Sequence, residues 1–375
     1  MVTIAAFSTD WNFQPAPTED DPGRKTATYG GTYYYRMALP YTALGYQGYT
    51  TWLSYAFDVA SDGHVRCLDT NGEWQDPDVV VFQRWMHKDG ATMARRAQAA
   101  GQVIINDVDD HFWALPRTNI AHKTTDPNAN PDFNRDHYRE MLKASDAVIC
   151  STDTIARFVE RQGVPAFVCR NAVDITAWPV HDVTEYHLGW TGGIPWRGND
   201  LPILRGILGP FLEQHGLDFY HGGDSPDPSY PKAWQQLGID INVVPYASHP
   251  IVPTAQYPAL WNPITTCIVP LERCTFNEAK SWLKALEASA CGIPYIASDL
   301  PEQRLFVEDG GAGRLARKGW QWLQHFEELL DVNVRRREGA LNRAHAEQWS
   351  IQNKWTQWDA VFRELVPTKP LEMAA

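Results

Sequence analysis

Short, uninterrupted apolar runs that alternate with helical segments constrain the fold of this chain more than any other feature. Such runs are typical of parallel strands covered on both faces. The helical segments between them end at glycines, as helices commonly do. The pattern predicts an α/β protein whose parallel sheets carry helices on both faces. The clearest runs are DVVVF at 78–82, QVIIN at 102–106, TCIVP at 266–270 and PYIAS at 294–298.

The alternation occurs twice. One series runs from a strand at 2–7 to a strand at 166–169, and a connector rich in proline and charge follows at 174–185. The second series begins with a strand at 186–190. A chain of 375 residues is long enough for two domains. The predicted boundaries are 1–175 and 176–345, with an amphipathic aromatic helix and a tail at 346–375.

Several elements are predicted more locally. Residues 11–25 read as a polar, proline-bearing loop, and 33–44 as a helix ended by Gly45. In the second series, 201–214 and 277–290 read as helices and 241–244 as a strand. These assignments rest on periodicity and on glycine and proline punctuation.

Composition excludes some classes of protein. The net charge of −12 and the pI of about 5.4 disfavour binding to bare nucleic acid, which needs a basic footprint. The six cysteines have no metal-ligand spacing, so we expect buried, reduced thiols. The N-terminus lacks the basic region of a signal peptide, and no apolar run approaches the ~20 residues of a membrane helix. A cytoplasmic protein without stable membrane insertion is therefore predicted.

Two glycine turns are candidate anion sites. Gly30 and Gly31 precede a helix, whose N-terminus favours a phosphate. Gly192 and Gly193 end a strand, and Arg197 follows as a cation that does not titrate. The alternatives are a tight strand-to-helix turn at the first position and an interdomain turn with a surface arginine at the second.

A third candidate lies in the predicted helix 277–290. Lys280, Lys284 and Glu287 are spaced i, i+4 and i+7, which places them on one helix face. The alternative is an ordinary solvated Lys–Glu face.

A fourth candidate is the acidic stretch 106–111, which follows the apolar run QVIIN. Ligands of α/β proteins bind at the carboxyl ends of strands, so Asp110 and His111 are candidates for contact with a substrate. Asp107 and Asp109 form a DxD, the metal–diphosphate motif of GT-A glycosyltransferases. A purely structural acidic loop is the remaining alternative.

An ordered series of motifs resembles GT-B glycosyltransferases of the retaining, glycogen-synthase-like kind, known as family 4. LEASACGIPYIAS at 286–298 resembles the family signature LEAMACGxPVVAS. GGTYYYRMALPYTALGYQGY, SDAVICST, RNAVD and LGWTGGIPWRGNDL resemble its glycine loop, a strand end, the domain hinge and the opening of the second domain. The C-terminal aromatic helix resembles the element that crosses back onto the first domain.

The resemblance implies two Rossmann-like, doubly wound domains facing a cleft, with an acceptor-side first domain and a second domain that binds a UDP- or GDP-sugar. No cofactor or metal is implied beyond this co-substrate. Glu287 would hold the nucleotide ribose, and Arg197 and Lys280 would neutralise the departing diphosphate. Further donor-binding candidates are Gly30, Gly31, Gly193, Lys284, Glu278 and Tyr246, with Asp110 and His111 beside Arg197 and Lys280 as catalytic candidates.

One departure from the family pattern opens an alternative. The family commonly has a glutamate eight positions before Glu287, where this chain has Ala279, and Glu278 lies one residue earlier. A non-catalytic nucleotide-sugar- or glycan-binding protein is therefore one rival, and a metal-dependent GT-A-like transferase using Asp107 and Asp109 is another. The acceptor stays open among a glycan, a lipid, a protein and a modified nucleobase. Its predicted binding loops are 11–25 and 115–135, and the oligomeric state is also open.

Overall fold

The structure, a computed structural model, describes residues 2–15, 25–69 and 71–366. The chain divides into two compact units. The first comprises Met1–Trp113, Thr124–Asn171 and Ile351–Ala375, and the second comprises Ala114–Lys123 and Ala172–Ser350. The predicted boundaries did not separate 114–123 from the first series. They also placed the return of the chain at 346 instead of 351.

The first half of the chain contains eleven strands and six helices within the described residues. The strands are β1 (Thr3–Ser8), β2 (Trp11–Pro15), β3 (Lys25–Tyr29), β4 (Thr50–Ser54), β5 (Phe57–Val59), β6 (Val65–Leu68), β7 (Trp74–Gln75), β8 (Val79–Gln83), β9 (Val103–Val108), β10 (Ala147–Cys150) and β11 (Ala166–Val168). The helices are α1 (Gly31–Tyr33), α2 (Leu39–Tyr46), α3 (Gly90–Ala99), α4 (Ile120–Thr124), α5 (Arg135–Lys143) and α6 (Asp153–Glu160).

The second half continues the numbering. Its strands are β12 (Leu188–Thr191), β13 (Phe219–Asp224), β14 (Tyr246–Pro250), β15 (Thr266–Val269), β16 (Tyr295–Ser298) and β17 (Arg314–Ala316). Its helices are α7 (Leu208–His215), α8 (Ala233–Leu237), α9 (Thr275–Glu278), α10 (Leu283–Ala290), α11 (Pro301–Glu308), α12 (Gly319–Glu328), α13 (Val332–Gln348), α14 (Ile351–Lys354) and α15 (Thr356–Leu365).

Each unit is built on a six-stranded parallel sheet, as the sequence predicts. The first has the order β11-β10-β9-β8-β1-β4, and the second β14-β13-β12-β15-β16-β17. The apolar run at β8 is buried at every position, as a strand covered on both faces requires. The chain changes direction of winding between β1 and β8 in the first sheet and between β12 and β15 in the second. Ligands of such sheets bind at the carboxyl ends of the strands at this switch point.

The C-terminal helices complete the first unit. Trp358 of α15 is fully buried, and Asp359 accepts a hydrogen bond of 2.7 Å from the hydroxyl of Tyr49. The predicted return of the aromatic helix to the first domain is thus confirmed. Among the described residues, none of the helices has the length and apolar character needed to cross a bilayer.

Several local predictions are wrong. Part of the predicted loop 11–25 is strand, since β2 pairs antiparallel with β3, while residues 16–24 lie outside the described residues. The predicted strand 241–244 is a turn, because the Asp240 side chain accepts from the backbone N–H of Asn242. The predicted helix 201–214 is a 3₁₀ turn and α7, separated by Gly206 at φ +72°. The small antiparallel sheet β5-β6-β7 carries no signal that we recognised.

Candidate functional site

The switch point of the second sheet begins with the glycine turn after β12. Gly192 has φ +144°, and its N–H donates to the carbonyl of Gly222 at 2.8 Å. A Cβ on Gly192 would lie 2.9 Å from the Trp190 ring and 3.1 Å from Nη2 of Arg197. Both the backbone conformation and the close approach therefore require glycine here. Gly193, a predicted donor-binding residue, lies in the same turn.

Arg197 lies just after this turn. Its guanidinium carbon is 5.6 Å from the centre of the Trp190 ring, a cation–π contact, and Trp190 stacks in turn on His221 at 5.0 Å. The Nε of Arg197 is buried and has no hydrogen-bond partner among the described residues. The arginine thus lies at the carboxyl end of β12, with its guanidinium held against the Trp190 ring.

Asp200 connects Arg197 with Lys280. Its carboxylate is 3% exposed and accepts from the backbone N–H of Glu272 at 3.0 Å and from Nδ2 of Asn277 at 2.6 Å. Burial raises the pKa of Asp200, while the charges of Arg197 and Lys280 oppose that shift. Both cations are therefore close enough to this carboxylate to act on its ionisation.

Lys284 and Glu287 form a buried ion pair on α10. Nζ of Lys284 donates to Oε2 of Glu287 at 2.6 Å, to Oγ1 of Thr191 at 2.9 Å and to the hydroxyl of Tyr257 at 2.5 Å. Burial works to lower the pKa of Lys284, but Glu287 and Tyr257 outweigh it and the pKa lies above its ordinary value. Burial, followed by the charge of Glu287, raises the pKa of Tyr257 to about 12.

This network bears on Lys284, whose predicted role in donor binding stays a prediction. An ammonium group has three N–H donors, and all three of Lys284 are used inside the protein. The geometry fits a lysine that fixes the position of Glu287. The predicted single helix is also wrong, because the chain leaves helical conformation between α9 and α10 and Lys280 lies in that interruption.

Tyr246 and Glu278 are two further predicted donor-binding residues in the second unit. Tyr246 begins β14 and pairs with Phe219 at the start of β13, so it lies at the amino edge of the sheet, opposite the carboxyl ends. There it lines a cavity of about 460 Å³ together with His187 and Asp218. Glu278 ends α9 and its carboxylate lies 3.6 Å from Arg273.

The switch point of the first sheet carries a second charged cluster, described here by itself. Arg84 follows β8 with φ +56°, unusual for a residue with a side chain, and binds the Asp109 carboxylate with two nitrogens. Asp110 lies 3.8 Å from the same guanidinium. Burial raises the pKa of Asp10, which follows β1, while Arg84 opposes that shift.

Asp10 also changes the interpretation of Gly30 and Gly31. Its carboxylate accepts from the N–H of Tyr33 at 3.3 Å, and a Cβ on Gly30 would lie 2.3 Å from one of its oxygens. The start of α1 is therefore capped by a carboxylate of the chain itself, which repels a phosphate. Gly31 is exposed and has open space around it.

Both carboxylates of the DxD motif form ion pairs with arginines of this chain. Asp107 is part of β9, fully buried, and receives two hydrogen bonds from Arg36 at 2.8 and 2.9 Å. Arg36 also donates to the carbonyl of Cys169 and to the side chain of Asn171. A π-helical segment, Tyr34–Ala38, places Arg36 there. Asp107 and Asp109 thus each neutralise one guanidinium.

His111 is 8% exposed and packs against Phe158 and Trp113. Its Nδ1 is buried without a hydrogen-bond partner among the described residues. Burial, with the Arg161 charge adding to it, lowers the pKa of His111, so the ring is neutral at pH 7.

Sequence reasoning missed several residues of these clusters, among them Asp10, Arg84, Asp200 and Tyr257. Asp10 and Arg84 each follow a strand, and the rule that singled out Asp110 would also have found them. Asp200 lies within the quoted stretch LGWTGGIPWRGNDL. Tyr257 comes from a 3₁₀ segment, Thr254–Trp261, for which the sequence offers no signal that we recognise.

Comparisons with known proteins are informative at the level of structure. No protein family and no curated protein matches the chain in sequence. A sucrose-phosphate synthase from Thermosynechococcus elongatus has a TM-score of 0.63 at 13% identity, covering 97% of this chain and 99% of that one. HepE from Anabaena, solved with UDP-glucose, has a TM-score of 0.60 at 13% identity, covering 97% and 100%. The lipopolysaccharide outer core galactosyltransferase WaaB has a TM-score of 0.53 at 13% identity, covering 97% and 100%.

These likenesses, together with the two parallel sheets, show that the chain has the GT-B fold predicted from its motifs. The GT-A-like alternative is therefore wrong. Its two diagnostic carboxylates also serve internal ion pairs. The assignment to family 4 stays a prediction.

Proposed function

We propose that this protein is a retaining glycosyltransferase that transfers a sugar from a UDP- or GDP-sugar to a separate acceptor. The observation that carries the proposal is the carboxyl edge of the second sheet. There, the charges of Arg197 and Lys280 both act on the Asp200 carboxylate, and Glu287 is fixed by an internal ion pair. The solved relatives include one bound to UDP-glucose, which supports a nucleotide sugar as the donor.

In this proposal each group has one task. Arg197 and Lys280 neutralise the diphosphate as the sugar–phosphate bond breaks, because the main demand of the reaction is to stabilise that growing negative charge. Glu287 accepts hydrogen bonds from the ribose hydroxyls and is oriented for this by Lys284 and Tyr257. The positive charge comes from side chains, so we propose that transfer requires no metal ion.

We assign binding of the acceptor to residues at the carboxyl end of the first sheet. We propose that Asp110 and the neutral ring of His111 contact the acceptor or the transferred sugar. In a retaining transfer without a protein nucleophile, the leaving phosphate oxygen takes the proton of the acceptor hydroxyl. The acceptor stays open among a glycan, a lipid, a protein and a modified nucleobase, and the cytoplasmic location stays a prediction.

Arg197→Ala tests the proposal most directly. We expect turnover of the accepted nucleotide sugar to fall by about 100-fold or more, as is typical when one donor to a developing charge is removed. Arg95→Ala, on the exposed face of α3, is the matched control and should leave turnover unchanged. Equal turnover by the Arg197 variant and the wild type would exclude the proposed role, and loss of activity with EDTA would contradict metal independence.

A second candidate is a nucleotide-sugar-binding protein without catalysis. It is favoured by Ala279, which is fully buried where the family commonly has a glutamate. Binding of a nucleotide sugar without hydrolysis or transfer, across a panel of donors and acceptors, would support this candidate against the enzyme.

A further inference from the structure

Segment 114–123 is encoded within the first half of the chain but belongs to the second unit. It contains a short turn that leads into α4. Within the second unit it contacts the loop after β12, residues 193–199, which carries Arg197. A segment that the sequence assigns to the first domain thus lies next to the loop that carries Arg197.

Asn119 makes the central contact. Its Nδ2 donates to the carbonyl oxygen of Trp196 at 3.0 Å, and its Oδ1 accepts from the backbone N–H of Ala121 at 2.9 Å. The side chain is 4% exposed. Asn119 therefore caps the start of α4 with one end of its amide and holds the loop with the other.

The loop 193–199 packs closely against this segment at Gly198. Gly198 has φ +54°, and a Cβ there would lie 2.8 Å from Oγ1 of Thr118. A larger residue would press on the Thr118 side chain and would also be strained at this positive φ. Close packing at 198 and the hydrogen bond at 196 thus lie on either side of Arg197.

The peptide unit between Trp196 and Arg197 is held at both ends. Its carbonyl accepts from Asn119, and its N–H, which belongs to Arg197, donates to the carbonyl of Ile194 at 2.9 Å. A peptide unit is planar, so fixing both groups fixes the backbone from which the guanidinium extends. We propose that Asn119 is a positioning residue that holds Arg197 in the orientation needed to bind a diphosphate.

This inference rests on the proposed function, and a cap-preserving variant tests it. Asn119→Ser keeps a good N-cap but loses the amide that reaches Trp196. We expect it to bind UDP or GDP roughly 3- to 10-fold more weakly, the range for losing one hydrogen bond. Asn333→Ser at an exposed site is the control.

A double-mutant cycle separates positioning from general structural support. Because Asn119 acts through Arg197, Asn119→Ser should have little further effect on affinity in an Arg197→Ala background. An equal loss in both backgrounds, or no loss in the wild-type background, would overturn the inference.

Hydrogen exchange supplies a readout that needs no nucleotide. Asn119→Ser should speed amide exchange in the peptide covering 193–200 and leave α10 unchanged, whereas unchanged exchange at 193–200 would overturn the inference. If the wild type bound no nucleoside diphosphate at all, the proposed function would fail. The exchange result would still decide whether Asn119 holds the loop.

Discussion

Lys284 and Glu287 form a buried ion pair in which each charge is stabilised by the other. The Glu287 side chain is 3% exposed, so removing its partner leaves a buried carboxylate without compensation. We expect Lys284→Met to cost about 3–5 kcal/mol of the free energy of unfolding. The double variant Lys284→Met/Glu287→Gln should recover a large part, because the uncompensated charge is gone. Urea unfolding of both variants measures the difference, and a double variant no more stable than the single one would contradict this account.

We expect His221 to make the free energy of unfolding depend on pH. Burial lowers the pKa of its imidazole, whose Nε2 bonds to the carbonyl of Gly192 at 2.9 Å. Because the folded pKa lies below the ordinary value of 6.5, the unfolded chain takes up the proton first. The contribution of His221 is therefore complete above pH 6.5 and is lost as the pH falls below it.

The matched variant is His221→Gln, whose amide donates to the same carbonyl but does not titrate. Urea unfolding between pH 5 and 7.5 should give a stability curve that falls less steeply toward acid than that of the wild type. Parallel curves would show that His221 does not contribute.

For single residues, the sequence predicts which side chains follow a strand and a glycine turn and so lie at a candidate site. Arg197 is the clearest example. The sequence does not predict what a side chain binds. The spacing of Lys280, Lys284 and Glu287 suggested three groups with a shared ligand. The structure instead uses Lys284 internally, because Tyr257 and Thr191 arrive from distant parts of the chain. Local spacing carries no information on such partners.

Among the elements, α13 packs on the end of α10 through Gly339. A Cβ at this position would lie 2.2 Å from the carbonyl oxygen of Gly292, a backbone atom that cannot move aside alone. We expect Gly339→Ala to destabilise the protein by about 1–3 kcal/mol despite the higher helix propensity of alanine. Leu341→Ala, on the exposed side of the same helix, is the control for urea unfolding. A Gly339 variant as stable as this control would refute the close packing.

The central parallel strands were predicted well because buried parallel strands are mostly apolar. Helix interruptions were not. Between α9 and α10 the sequence has no glycine or proline that would mark the interruption, but the side chain of Asn277 in α9 donates to Asp200 and to the carbonyl of Glu272. The π-helical segment at Tyr34–Ala38 likewise leaves the apolar pattern nearly intact. Tertiary contacts of this kind override local propensity.

For the whole molecule, the C-terminal helices are the feature to test. A chain ending at Ser350 lacks α14 and α15, and with them Trp358, whose ring lies 5.5 Å from the guanidinium of Arg36. We expect this chain to bind a hydrophobic dye and to be cleaved rapidly within the first unit, because a buried apolar surface is uncovered. A chain ending at Val366 retains both helices and is the control. Equal protease resistance of the two chains would contradict the expectation.

The order in which the parts of the two units are translated has a consequence for folding on the ribosome. The first sheet is fully translated by residue 168, yet Trp358 of the same unit is translated only after the whole second sheet. Although N-terminal domains generally fold first during translation, here the first unit cannot reach its final packing until the second unit has also been translated. Helices α14 and α15 thus complete the first unit late, and a product terminated before them leaves an incompletely packed unit for cellular proteases to remove.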